Sequence, residues 1–203
     1  QPGLVVADME TLKTLPSREI KSGMAEIIKY GVIADGGFFA WLEERLDQLL
    51  DLDGEALEHA VETSCRIKAG VVEEDETEQG LRAVLNFGHT VGHAVEALTG
   101  YRGISHGEAV GIGMAAAARL AATLGMLPEN EAGRITTLIK RAGLPVDVPP
   151  ELSPDHILAS MRRDKKALAG RLTLVLPVGI GRVVIKRDVS EENVRAALNY
   201  KGL

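Results

Sequence analysis

The stretch from Arg82 to His93, RAVLNFGHTVGH, holds the residues of this chain best suited to chemistry. Read as a helix, it sets Arg82, Asn86, His89 and His93 at steps of 4, 3 and 4, which keeps all four side chains on one face. The residues between them are Ala, Val, Leu, Phe, Gly and Thr, and the segment runs on into AVEAL. An apolar helix of this kind is buried, and here it carries a stripe of one guanidinium, one amide and two imidazoles. Burying such groups without partners costs about 1–3 kcal/mol each, and more for a charge. A metal ion and an anionic ligand would satisfy them.

Three other positions break their local pattern. In GMAEIIKYG, Glu26 and Lys29 lie three apart on one face of a segment rich in Met, Ile and Ala. Val61, Cys65, Lys68 and Val72 repeat at steps of 4, 3 and 4, with Lys68 the odd member of an apolar stripe. His106-Gly107-Glu108 opens a helix, and the glycine allows close backbone approach there. Each has a plain explanation taken alone: a surface ion pair, a lysine reaching to solvent, a capping histidine. Two histidines at i, i+4 without a surrounding Glu-x-x-His frame bind metal only occasionally. Together they place Glu, two Lys, Arg, Asn and three His at inward or loop-mouth positions. Periodicity favours Glu26 and His89 facing inward. It leaves open whether His93 or His106 would be a third ligand.

The elements that must position these residues are mostly helical. Ser17 after Pro16 reads as the N-cap of a helix to about Ala34. Further helices are predicted over Phe38 to about Leu50, Gly54 to about Glu74, the striped Leu81 to about Leu98, and an Ala-rich helix from Glu108. Two more fit Glu129–Ala142 and Pro154–Arg163. Leu172–Leu176 and Val183–Lys186 read as strands joined by PVGIGR, a hairpin, and Ser190 caps a last helix through Leu198. Leu4–Ala7 reads as a buried strand whose partner is either that hairpin or a sheet outside this sequence. Gly111 and Gly113 follow no strand, so they indicate close helix packing rather than a nucleotide loop. The fold class is mainly α: a multi-helix domain with a small β-hairpin.

Composition narrows the functions. The chain has 203 residues, 45% of them hydrophobic but only 3% aromatic, so small aliphatic residues must fill the core. A net charge of −6 argues against nucleic acid. The single cysteine, Cys65, excludes an internal disulfide and fits a reducing compartment. No basic region precedes an apolar run at the start, which argues against a signal peptide and for a cytoplasmic location. Ala109 to Met126 is apolar but rich in Ala and Gly and contains Arg119, which suits a buried helix better than a membrane span.

The segments LKTLPSREIKSGMAEIIKYG (12–31), DETEQGLRAVLNFGHTVGHAVE (75–96), HGEAVGIGM (106–114), RRDKK (162–166) and LTLVLP (172–177) resemble, in this order, the 3-dehydroquinate synthases. The resemblance covers nearly the whole chain. It implies the C-terminal half of a two-domain enzyme: residues 1–16 as the last strand and linker of an NAD-binding α/β domain lying outside this sequence, and 17–203 as a helical metal- and substrate-binding domain.

The resemblance also implies roles. Glu26, His89 and His106 match the metal ligands, suited to Zn²⁺ or Co²⁺. Thr11, Leu12, Lys13 and Thr14 match a segment touching NAD. Lys29, Lys68, Arg82, Asn86 and Lys165 or Lys166 would supply cations and donors to a substrate carboxylate and phosphate, Glu78 would orient one of these cations, and His93 would transfer a proton. The family converts 3-deoxy-D-arabino-heptulosonate 7-phosphate to 3-dehydroquinate and phosphate in the shikimate pathway, by transient oxidation on NAD, phosphate elimination and an intramolecular aldol. The expected partners are this sugar acid phosphate, the NAD-binding domain and a second subunit of a homodimer, with no nucleic acid and no membrane. Two alternatives stand beside it. One is a sister cyclase acting on sedoheptulose 7-phosphate or glucose 6-phosphate, although Asn86 and His93 look like the dehydroquinate type. The other is a metal-binding helical domain that does not catalyse when isolated.

Overall fold

The computed structural model describes residues 3–75, 80–100, 103–164 and 171–199. Among them run α1 (Ser17–Ala34), α2 (Gly36–Leu50), α3 (Gly54–Glu74), α4 (His89–Leu98), α5 (His106–Thr123), α6 (Glu129–Arg141), α7 (Pro154–Asp164), β1 (Arg171–Gly179), β2 (Arg182–Ser190) and α8 (Glu191–Leu198). Short 3₁₀ segments cover Met9–Thr14 and Leu81–Asn86. The mainly helical class and the hairpin are as the sequence indicates.

The organising element is α5. Thirteen of its residues are buried, all of them Ala, Gly, Val, Ile, Leu or Met. It packs against α1, α4, α6, α8 and β1. A helix covered on so many sides cannot carry large side chains all round, which explains its alanines and glycines. The bulk comes from its neighbours, Met24 and Ile28 of α1 and Ile135 and Leu138 of α6, and from Phe39, Leu42 and Leu46 of α2 beyond α1, all at most 2% exposed. Each such side chain contributes about 1.5–3 kcal/mol by leaving water.

The segment Leu81–Leu98 is not one helix. It is a 3₁₀ turn to Asn86, a break, and then α4, with Gly88 at φ 80°. The cause is tertiary. A Cβ on Gly113 would lie 1.9 Å from the Gly88 carbonyl oxygen, so α5 presses its backbone against the break. Gly88 takes the left-handed turn that a side chain would resist. Arg82 and Asn86 therefore leave the stripe that His89 and His93 keep on α4.

Other boundaries differ by small physical margins. Ser17 is the first helical residue of α1 rather than its cap; Pro16 holds the cap position without a side-chain bond. α5 starts at His106, two residues earlier than expected, through a capping box between Ser105 and Glu108. α3 buries Ala56, Leu57, Ala60, Thr63 and Ser64. The stripe of Val61, Cys65, Lys68 and Val72 is turned about 100° from that face, with Cys65 and Lys68 exposed. The hairpin runs antiparallel and its tip is anchored: Gly181 N–H donates to the Val32 carbonyl at 2.9 Å and Ile180 N–H to Glu131 Oε2 at 2.7 Å. Leu4–Ala7 is not a strand. Leu4, Val5 and Val6 are 79%, 76% and 81% exposed, and the sheet consists of β1 and β2. Without a ladder partner, an apolar run has no reason to be held as a strand. No described helix is long and apolar enough to cross a membrane.

Candidate metal centre and its cleft

Three helices converge to make the site. α1 contributes Glu26 and Lys29 from adjacent turns. Lys29 is 3% exposed, and its Nζ donates to Glu26 Oε2 at 2.6 Å. A buried ammonium persists only when paired, and this carboxylate oxygen is its partner. Nζ also lies 5.2 Å from the centroid of the Tyr30 ring. Burial, with the nearby Glu26 charge next in effect, pushes the Tyr30 hydroxyl up to about 12, so the ring stays neutral beside the pair.

The other Glu26 oxygen has no such partner. Oε1 is buried and has no hydrogen bond among the described residues; it lies 3.6 Å from His89 Nε2 and 3.8 Å from His106 Nε2. The rings on the two histidines are fixed from behind. His89 Nδ1 lies 3.0 Å from the Phe87 carbonyl, so this nitrogen donates and Nε2 is left with its lone pair. Burial pushes the His89 imidazole below its ordinary range; the Phe87 hydrogen bond pulls it back up in part, and the Lys29 charge lowers it again. A neutral ring is the form that ligates metal. His106 Nδ1 lies 3.3 Å from each oxygen of Glu96. That bond likewise leaves its Nε2 facing Glu26.

A carboxylate oxygen and two imidazole lone pairs thus meet, all within 4.8 Å of one another. Acceptors facing acceptors repel unless a cation sits among them. Ligand atoms about 2.1 Å from a tetrahedral ion stand about 3.4 Å apart, close to the 3.6 and 3.8 Å found here. The donor set therefore fits a divalent ion. A second grouping, His93, Glu96 and His106, also clusters. Its carboxylate already receives the His106 Nδ1 proton, so it suits an ion less well.

The local backbone serves this geometry. A Cβ on Gly107 would fall 2.2 Å from the Ser22 carbonyl oxygen, and Gly107 N–H donates to Ser22 Oγ at 3.0 Å. The start of α5 is thereby clamped on α1, which brings His106 to Glu26. Arg18 adds a forked bond to Glu108 and donates to the Gly103 carbonyl at 2.7 Å.

Beside the centre opens a cleft of about 620 Å³ lined by His93, Ala94, Glu96, Ala97, His106, Ser160 and Arg163. His93 is exposed at its mouth, its ring 5.4 Å from that of His89 and 6.3 Å from that of His106. The remaining expected residues are less closely assembled. Lys68 is exposed on α3. Arg82 is half-buried, and its backbone N–H donates to Asp75 Oδ2 at 2.9 Å. Asn86 lines a small internal cavity with Gly88, Gly113, Leu174 and Val175. Thr11, Leu12, Lys13 and Thr14 lie in a 3₁₀ turn, all exposed but the half-buried Leu12, with Thr11 and Thr14 hydroxyls donating to carbonyls three residues back. Glu78, Lys165 and Lys166 lie outside the described residues. Sequence reasoning missed Glu96, Ser160 and Arg163. Glu96 falls at the step of 3 after His93, so extending the stripe by one turn would have found it.

Comparison with known proteins agrees with this architecture. Residues 23–167 match the family described as 3-dehydroquinate synthase C-terminal. A 3-dehydroquinate synthase of Pelotomaculum thermopropionicum is 60% identical over 191 residues, which are 94% of this chain and 52% of that protein. One from Desulforamulus reducens is 53% identical over 199 residues, 98% of this chain and 55% of that protein. The chain thus spans about half the length of the curated relatives it matches. Among solved structures, the 2-epi-5-epi-valiolone synthase ValA of Streptomyces hygroscopicus subsp. jinggangensis, with NAD⁺ and Zn²⁺ bound, superposes with a TM-score of 0.85 at 31% identity, covering 94% of this chain and 53% of that one. A 2-deoxy-scyllo-inosose synthase complexed with carbaglucose-6-phosphate, NAD⁺ and Co²⁺ gives 0.83 at 27% identity, covering 95% and 55%. By the extent of the match and these identities, the chain belongs to the 3-dehydroquinate synthase C-terminal family.

Proposed function

We propose that this chain is the metal- and substrate-binding half of a 3-dehydroquinate synthase, which as a whole converts 3-deoxy-D-arabino-heptulosonate 7-phosphate to 3-dehydroquinate and phosphate. The observation that carries the reading is the bare Glu26 Oε1 between the Nε2 atoms of His89 and His106. Sister cyclases provide the solved neighbours, but identity to the dehydroquinate synthases is about twice as high, which favours that substrate.

Glu26, His89 and His106 would hold Zn²⁺ or Co²⁺, which when bound supplies Lewis acidity that lowers the pKa of a substrate hydroxyl. NAD, held mainly by the other half with the Thr11–Thr14 turn at its edge, supplies the transient oxidation. The residues of this chain do the rest. Lys29 holds the Glu26 carboxylate in place and adds a positive charge beside the reacting oxygens. His93, one turn from His89 at the cleft mouth, takes or gives a proton at a substrate hydroxyl. Lys68, Arg82, Asn86 and Lys165 or Lys166, with Glu78 orienting one cation, receive the substrate carboxylate and phosphate. The cleft of about 620 Å³ suits a seven-carbon sugar acid phosphate. The full-length enzyme is read as a cytoplasmic homodimer.

The test is phosphate release from this substrate with NAD and Zn²⁺ or Co²⁺ present. A full-length enzyme carrying these residues should turn over, and the 203-residue chain alone should not, because hydride transfer needs a nicotinamide held against the substrate. Such positioning is worth about 7–11 kcal/mol. Sustained turnover by the purified chain would sink the two-half reading. Turnover of glucose 6-phosphate in place of the heptulosonate would move the enzyme to the sister class.

A further inference from the structure

Glu96 has no role in the reaction as outlined, yet it is a carboxylate only 9% exposed, on the face of α4 that carries His89 and His93. Its neighbours Ala94 and Val95 are at most 3% exposed. Keeping a carboxylate there is costly unless it is well bonded. Its side-chain partner among the described residues is the His106 ring, with both oxygens 3.3 Å from Nδ1. His106 needs such a hold. It is the first residue of α5, and its side chain is 47% exposed, against 13% for His89. Packing alone does not fix an imidazole so exposed, in its rotation or in which nitrogen carries the proton.

The placement of Glu96 follows from α4. His89, His93 and Glu96 stand at steps of 4 and 3 and so share one face. α4 lies close against α5, with a Cβ on Gly92 falling 3.1 Å from the Ala109 carbonyl oxygen. One helix thereby supplies His89 directly and reaches across to the back of His106. His89 is fixed by a backbone carbonyl, which no substitution removes. His106 depends on a side chain.

We propose that Glu96 is the positioning residue for His106: its carboxylate holds the Nδ1 proton, fixes the ring and leaves the Nε2 lone pair aimed at Glu26 and His89. The inference rests on reading Glu26, His89 and His106 as the metal centre. A carboxylate behind a ligating imidazole also raises its basicity, and losing one costs ten- to a hundredfold in metal affinity. The same bond makes the His93–Glu96–His106 grouping a hydrogen-bonded support rather than a second ion site.

Two readouts test it on the 203-residue protein, with Glu96→Ala and Glu96→Gln as variants and circular dichroism as the check of folding. The first is the tautomer of His106 in metal-free protein at alkaline pH, read from long-range ¹H–¹⁵N correlations of the ring. The second is Zn²⁺ affinity by competition with a chelating dye. The wild type should carry the proton on Nδ1. Glu96→Ala should shift it toward Nε2 and weaken Zn²⁺ ten- to a hundredfold. Glu96→Gln, which keeps a neutral acceptor, should retain the tautomer and lose up to about tenfold in affinity. Wild-type tautomer and wild-type affinity in Glu96→Ala would overturn the proposal; if that variant fails to fold, an Nε2–H tautomer in the wild type would do so. A wild type that shows the Glu96-dependent tautomer but binds no Zn²⁺ would leave the proposal standing and remove the metal reading instead.

Discussion

The candidate metal ligands and the residues proposed for substrate are built on different terms. On the metal side, every candidate ligand has a fixed second contact: Glu26 with Lys29, His89 with the Phe87 carbonyl, His106 with Glu96. On the side proposed to receive substrate, His93 and Lys68 are exposed and Arg82 is half-buried. The difference follows from what each must bind. An ion needs lone pairs held to a few tenths of an ångström before it arrives. A flexible polyanion brings its own charges, and long side chains can gather around it. The contrast is one of exposure: the candidate metal ligands sit deeper than His93 and Lys68, His106 excepted.

The sharpest way to break this contrast is Glu26→Ala. It removes the orphaned ligand and also strands the Lys29 ammonium. The metal-free protein should lose about 3 kcal/mol in urea denaturation, the low end for breaking a buried pair because the Glu26 side chain is 35% exposed. Zn²⁺ binding should vanish with it. Unchanged stability would mean that Lys29 finds another partner.

Arg82→Ala probes the other side. In the full-length enzyme it should cost on the order of 2–5 kcal/mol in kcat/KM while Zn²⁺ affinity stays at the wild-type value. Near-normal turnover would exclude a substrate role for Arg82. A large loss of metal affinity would show that the two sides are not independent.

A smaller effect is expected from Gly107→Ala. The new Cβ would be 2.2 Å from a backbone oxygen of Ser22, so the start of α5 must shift and His106 with it. Overpacking of this kind costs about 1–3 kcal/mol, with weakened Zn²⁺ binding as the second readout. Gly103→Ala, four residues earlier with nothing within 4 Å, is the control and should change neither.

The smallest effect is with pH. The Glu108 carboxyl lies below its ordinary range: burial pushes it up, but the Arg18 hydrogen bond and the bonds from Ser105 outweigh this. A carboxylate with a depressed folded-state pKa stabilises fully above its unfolded value, 4.5, and progressively less as the pH falls through the folded one. Below 4.5 the wild type should therefore lose thermal stability faster than Glu108→Gln. Parallel curves would show that the Arg18–Glu108 fork adds nothing to the hold on α5.

Much of the metal side was legible in the sequence because it obeys local rules. The pairing of Glu26 with Lys29 and the inward direction of His89 come from helix periodicity, and the hairpin from two apolar runs around PVGIGR. The choice of His106 over His93 was carried by family resemblance alone, since it depends on how α5 meets α1. The break at Gly88 was hidden because its cause, Gly113, lies 25 positions away in sequence. Glu96 continues the stripe of His89 and His93 by one step, but only the fold sets His106 beside it. The Lys68 stripe misled for a related reason: two Val residues flank it, but α3 turns its Ala and Leu face inward instead.

The position of His106 has a kinetic consequence. α5 is enclosed on all sides, so amides from about residue 109 onward should exchange with solvent only through opening of the whole domain. Gly103, three residues before His106, is exposed and should exchange quickly. His106 stands where slow exchange gives way to fast. Glu26 and His89 sit within helices packed against the core. Of the three candidate ligands, His106 is thus the one held from an exposed position, by Glu96 and by the clamp of Gly107 on Ser22, and the lifetime of a bound ion should follow the opening of that clamp rather than the stability of the domain.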